Sequence, residues 1–205
     1  IQQSEVYERK AVTATAAHEH GNATHDQSKQ HSHDSEWEPE EGLQRNAFTV
    51  AANILTAIGF ALLLAGVYAI RGHAVTWREG LAWGLAGFIV FTAAPGLGLP
   101  PELPGMPVAD LTARQTWWIA TAAATAGGLY LLTFRATALA ALLGLALIAL
   151  PHLIGAPLAP ESHSDVPHAL SQRFIVVVTL TSLLFWALLG ISTSIVYGRI
   201  ARPLS

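Results

Sequence analysis

The most informative segment of this sequence is AFTVAANILTAIGFALLLAGVYAI, residues 47–70, which contains no charged side chain. A helix of this length spans a hydrocarbon core of about 30 Å, because each residue adds about 1.5 Å. Lipid offers the backbone no hydrogen bonds, and an α-helix satisfies its own peptide groups. The segment therefore predicts a membrane-spanning helix.

Further apolar segments of similar length follow it, at residues 81–99, 116–134, 138–154 and 174–197. Hydrophobic residues make up 52% of the chain and charged residues 12%, about half the charged share of an average soluble domain. We expect an all-α, polytopic transmembrane helix bundle over residues 47–205, with five visible spans. The alternative is a soluble protein with unusually apolar core helices. The net charge of −3 gives no indication of nucleic-acid binding.

Residues 1–46 form a separate polar and acidic unit. We expect this unit to be largely disordered, because it has too little apolar surface to offset its ordering entropy. Its histidines are His18, His20, His25, His31 and His33. Imidazole binds zinc, copper, nickel and cobalt, so the pattern predicts capture of a divalent transition metal. A solvated linker and a purification tag are the alternatives.

The short connections between the apolar segments carry Arg71, Arg135 and Arg199, and Glu79 is the one acidic residue near them. Lys and Arg near span ends mark the cytoplasmic side. We therefore expect a cytoplasmic C-terminus, and residues 1–46, 100–115 and 155–173 outside the membrane. The chain begins at Ile1 without Met, and we expect a preceding span, six in all, to carry the tail across.

Several candidate metal ligands lie at the outer membrane edge. Glu102 belongs to a loop rich in Pro and Gly, residues 95–107, that we expect to interrupt the helix at Pro95. His152 follows Pro151, where we expect an apolar helix to break. A histidine at membrane depth is costly unless it faces protein or water, which makes it a functional candidate. Its alternative role is to bond a free carbonyl at the helix end.

The next loop adds His163 and His168 as candidate ligands. Within and beside the spans, the polar residues that could line a pathway are Asn53, Thr92 and Asp110. Other span hydroxyls, Thr121 and Thr125 among them, could also line a pathway, although such residues more often bond across helices or to the backbone.

Missing motifs exclude several classes of protein. The sequence contains no phosphate-binding GxxxxGK[ST] loop and no HExxH motif, and it has no cysteine. It therefore predicts no nucleotide cofactor and no enzymatic activity. A membrane enzyme would need three protein ligands around a metal. His152, Glu102 and His163 would supply them only if their loops converged.

Several loop motifs carry a family resemblance. They are EVYE (residues 5–8), WEPEEG (37–42), PPELPGMP (100–107), RQTWW (114–118) and LPHLIGAP (150–157). With these motifs the chain resembles the CbtA family of predicted cobalt transporter subunits. Members of that family usually have a further apolar helix before the ExYE motif.

The resemblance implies a protein of the bacterial inner membrane that supplies cobalt for cobalamin synthesis. It also implies a small histidine-containing membrane partner, CbtB, besides the lipid bilayer, and a homo- or hetero-oligomer is possible. We therefore predict a subunit for uptake of a divalent transition metal, most simply cobalt, with nickel and zinc as alternatives. The competing hypothesis is an accessory membrane subunit that buffers or delivers metal without transporting it.

Overall fold

The computed structural model describes residues 42–104, 106–160 and 166–201, and this part of the chain contains helices and no strand. The predicted disorder of the histidine-rich tail lies outside these residues. The helices are α1 (Leu43–Arg71), α2 (Trp77–Phe88), a π-helical turn (Ile89–Ala93), α3 (Ala94–Gly98), α4 (Leu111–Phe134), α5 (Ala138–Ile154) and α6 (His168–Ile200). Each apolar segment of the sequence forms one helix or one continuous helical run.

Four of these helical runs are long and apolar enough to cross a membrane: α1, the run Trp77–Gly98, α4 and α6. Helix α5 is shorter, with 17 residues, and so reaches only about 25 Å. The all-helical prediction is confirmed, and length and composition define a multi-pass membrane protein.

The ends of the helices follow from local sequence. Thr76 and Glu79 form a capping box at the start of α2, in which each side chain accepts from the other's backbone N–H. The Thr137 hydroxyl accepts from the N–H of Ala140 at the start of α5. Helix α1 ends at Gly72, whose φ of 69° is in the left-handed region that glycine adopts without strain.

The expected interruption at Pro95 is wrong, because the helix continues to Gly98. A π-helical turn directly precedes this proline, and the N–H of Ala94 donates to the carbonyl of Ile89 within it. Pro95 then stands in the first turn of α3. The wider turn thus accommodates a residue that would break an uninterrupted α-helix.

Helices α2 and α6 form the most extensive contact in the bundle, and glycines bring them together. A Cβ atom at Gly80 would lie 2.6 Å from the carbonyl oxygen of Gly190, and one at Gly84 would lie 3.2 Å from the Gly190 Cα. Gly87 faces the ring of Trp186. Gly80, Gly84 and Gly87 therefore permit the close approach of these two helices.

Helices α4 and α5 form the second close pair. They are joined by residues 135–137, and they cross at Gly128 and Gly144. A Cβ atom at Gly128 would lie 2.6 Å from the Gly144 carbonyl oxygen. This pair meets the rest of the bundle mainly through the π-helical turn and α3.

The two ends of the bundle differ in chemistry. At one, which we term the arginine end, the Arg71 guanidinium lies 5.4 Å from the ring centre of Trp83 and 5.8 Å from that of Phe134. The rings of Tyr68 and Tyr197 lie 5.6 Å apart at the same end. The ends of α1, α4 and α6 therefore meet the start of α2, as alternating spans predict. The opposite end, termed the histidine end, carries His152, Glu102 and Arg114.

Candidate membrane-edge polar site

His152 lies in the last turn of α5, at the outer end of the predicted segment 138–154. The helix continues through the buried Pro151 and ends at Ile154. The Pro151 carbonyl accepts from the N–H of Gly155 (3.0 Å) and also from the indole Nε1–H of Trp117 (3.3 Å). The second hydrogen bond ties the end of α5 to α4 and fixes the position of the adjacent imidazole.

The imidazole of His152 packs edge-on against Trp117, with ring centres 5.8 Å apart and planes at 75°. Its Nε2 atom is buried and has no hydrogen-bond partner among the described residues. Trp117 is only 9% exposed. Its ring fills the space beside Gly98, where a side chain would collide with it.

One face of α4 carries the other polar groups of this site. Arg114, Trp117, Thr121, Thr125 and Gly128 follow at helical spacing and therefore share that face. The hydroxyls of Thr121 and Thr125 are fully buried, and like the Arg114 Nε they have no hydrogen-bond partner in the described part of the chain. Buried polar groups in proteins are nearly always paired, so such a group calls for an explanation.

Glu102, a predicted metal ligand, is held by an ion pair. Its carboxylate lies 2.7 Å from the Arg114 guanidinium, and both side chains are largely shielded. The same loop reaches α6, where the Ser171 hydroxyl donates to the Met106 sulfur at 3.8 Å. The loop thus links α4 to α6 across the histidine end, and the Glu102 carboxylate is already charge-compensated.

Other predicted residues lie apart from this cluster. Asp110 caps α4, where its carboxylate accepts from the N–H of Ala113 at 2.9 Å. His168 is the first residue of α6 and is exposed, as is Asn53 on α1. Thr92 is half-buried in the π-helical turn.

The structure does not assemble a ready three-ligand metal centre. No group of three or more His, Cys, Asp and Glu residues comes together within residues 42–104, 106–160 and 166–201. His163 and the five tail histidines lie outside these ranges. A cavity of about 580 Å³ opens at the arginine end, where Tyr130, Phe134 and Arg135 are among its lining residues. It is therefore remote from His152.

Sequence reasoning singled out His152 and Glu102 and counted Thr121 and Thr125 among the span hydroxyls that could line a pathway, but it did not connect them with Arg114 and Trp117. The signal that links these four is their helical spacing. A tryptophan and two hydroxyls follow an arginine on one face of the helix. Only the packing shows that this face lies toward the protein interior.

Together these features define a multi-pass helical membrane protein whose shielded polar groups gather at one end and along one helix. A family model described as "Probable cobalt transporter subunit (CbtA)" matches residues 1–198, nearly the whole chain. The chain belongs to the CbtA family, as its loop motifs predicted. No curated protein and no solved structure matches it.

Proposed function

We propose that this chain is a membrane subunit for uptake of a divalent transition metal, with cobalt for cobalamin synthesis as the physiological ion. The observation that best supports an ion-receiving role is the buried, unpartnered Nε2 of His152 in a member of a cobalt transporter family. An imidazole nitrogen without a hydrogen-bond donor is available to a metal ion. Cobalt is the substrate here, and nickel and zinc would be bound by the same donors.

In this proposal the histidine end and residues 1–46 lie outside the inner membrane, and the C-terminus lies in the cytoplasm. The tail histidines His18, His20, His25, His31 and His33 gather the ion. His163, His168 and Glu102 would assist the transfer of the ion to His152. Glu102 would do so only after releasing Arg114. A small histidine-containing partner, CbtB in type, would supply further ligands.

Helix α5 acts as the fifth span in this arrangement, although it is short. Residues 155–157 follow it in a non-helical conformation, and Ala156 packs near Gly98. This extension covers part of the thickness that the helix does not reach. The chain itself carries no catalytic step and no nucleotide site in this proposal, so the driving force comes from the ion gradient or from a partner.

The test is uptake of radioactive cobalt by cells that lack other cobalt importers and co-express the small partner. His152→Ala should lower uptake by about tenfold or more, as loss of a metal-site group usually does. His73→Ala is the matched control, because His73 is exposed at the arginine end and bonds only the neighbouring Ala74 carbonyl. Deleting residues 18–33 should weaken uptake only at low cobalt concentration.

Two results would count against the proposal. One is wild-type uptake no greater than that of the empty vector, with folded protein shown in the membrane. The other is equal uptake by His152→Ala and His73→Ala.

A second candidate is a non-transporting accessory subunit that buffers or delivers metal. It is favoured by the tight glycine packing of both helix pairs and by the lack of a three-ligand cluster in the described residues. In that case the folded chain would bind cobalt through its tail, and uptake by the partner would continue without this chain at saturating cobalt.

A further inference from the structure

Four of the five threonines of α4 fall into two groups that differ in hydrogen bonding. The hydroxyls of Thr116 and Thr133 donate to the carbonyls of Thr112 and Leu129, four residues earlier, at 2.8 and 2.7 Å. Thr56 and Thr179 in other helices do the same. This is the usual arrangement of threonine in a membrane helix, because it satisfies the hydroxyl locally.

Thr121 and Thr125 depart from this arrangement. Both side chains are fully buried, and neither hydroxyl has a hydrogen-bond partner among the described residues. The local carbonyl bond is open to any threonine in a helix, since its Oγ1 can reach that carbonyl in one of its two favoured rotamers. These two hydroxyls instead point into the protein interior, where nothing described satisfies them.

Their position connects them to His152. Trp117, which contacts the imidazole, shares the face of α4 on which Thr121 and Thr125 lie one and two turns further along. The two hydroxyls are therefore about 6 and 12 Å deeper than Trp117 along the helix axis. Arg114 is the cationic residue of the same face, and its positive charge is offset by the Glu102 carboxylate.

From this geometry we propose that Thr121 and Thr125 form an oxygen-lined transfer site for the divalent cation, inward of His152. The inference rests on the proposed transport function and extends it along α4. The ion, still carrying part of its water shell, would leave the imidazole and pass the two hydroxyl oxygens. Neutral oxygens hold a cation more weakly than carboxylates would, and conduction requires sites that the ion can leave.

The proposal predicts that removing either hydroxyl raises the stability of the protein but lowers its rate of cobalt uptake. Replacing either threonine with valine keeps the shape and removes the unsatisfied hydroxyl, which should raise the unfolding temperature in detergent. The same change should lower the maximal rate of cobalt uptake by about fivefold, with a half-saturating concentration within about twofold of wild type. Thr121→Ser and Thr125→Ser retain the hydroxyl and should retain the rate.

Thr133→Val is the matched control, since Thr133 is on the same helix and bonds its own backbone. It should leave the uptake rate and the unfolding temperature close to wild type. If the double variant T121V/T125V transports cobalt within about twofold of wild type while H152A does not, the hydroxyl site is refuted and the transport function stands. If the wild type shows no uptake, the function fails and this inference fails with it.

Discussion

The two glycine-packed helix pairs, α2 with α6 and α4 with α5, use the same packing device but treat buried hydroxyls differently. In the first pair Ser194 is 1% exposed, and its hydroxyl donates to the Ile191 carbonyl at 2.8 Å. In the second pair Thr121 and Thr125 are equally buried, but their hydroxyls have no hydrogen-bond partner among the described residues.

This difference separates a structural contact from a candidate site. Close approach of two backbones needs only small residues. It stabilises the helix pair most when every polar group between the helices has a hydrogen-bond partner. The α2–α6 pair meets the first condition, and its buried Ser194 hydroxyl meets the second. The α4–α5 pair keeps unsatisfied groups next to His152, which lowers stability and is explained if those groups have a ligand.

The largest expected effect comes from separating α2 and α6. A Cβ at Gly190 would lie 2.8 Å from the Gly84 Cα, so both backbones must move. Gly190→Ala should cost about 3 kcal/mol or more, the upper range for overpacking. Thermal unfolding in detergent measures the change. The control is Gly59→Ala, where nothing lies within 4 Å, and equal effects at both positions would contradict the packing described.

The next largest effect concerns the ion pair between Glu102 and Arg114, which lies at the start of the polar face of α4. Glu102→Gln leaves the largely shielded Arg114 guanidinium without its counter-charge. We expect a loss of about 1–2 kcal/mol, between the values for surface and buried pairs. A double-mutant cycle with Arg114→Gln isolates the pair energy. Additive single effects would show that the two side chains are not coupled.

A smaller effect is expected where α4 holds the end of α5. Trp117→Phe removes the hydrogen bond to the Pro151 carbonyl and leaves a space beside Gly98. The loss should be about 1 kcal/mol, because hydrogen bonds within membranes contribute modestly. Trp118→Phe is the matched substitution on the same helix, and a larger loss there would contradict the anchoring role of Trp117.

The smallest expected effect is on stability, and its direction should differ between a paired and an unpaired buried hydroxyl. Ser194→Ala removes a satisfied hydroxyl and should lower stability by about 0.5 kcal/mol. Thr125→Val removes an unsatisfied one and should raise it. The unfolding temperatures of both variants should be compared with that of the wild type under one condition. A shift of both in the same direction would contradict the distinction between paired and unpaired hydroxyls.

Much of the fold could be predicted from the sequence, because hydrophobic length and charge are local properties. The apolar segment at residues 116–134 lies within α4, and segment 138–154 coincides with α5. The effects of Pro95 and Pro151 could not be predicted in the same way. Whether a proline ends a helix depends on the backbone around it, such as the π-helical turn before Pro95.

The candidate site was predicted only in part. His152 was identified because a histidine is costly at membrane depth, and the structure places it in a shielded position. Glu102 was predicted as a free ligand, but its carboxylate is paired with Arg114. That pairing depends on where the loop meets α4, a long-range contact that residue spacing does not encode.

The sequence by itself determined the membrane class, the helical segments and the family, since each follows from composition, length or short motifs read along the chain. Only the tertiary structure decided which polar groups are satisfied. A threonine that bonds its own backbone and a buried threonine with no partner among the described residues cannot be told apart by residue type or by sequence neighbours. Their difference arises from the helix packed against them, because that neighbour excludes water and sets which groups are within reach.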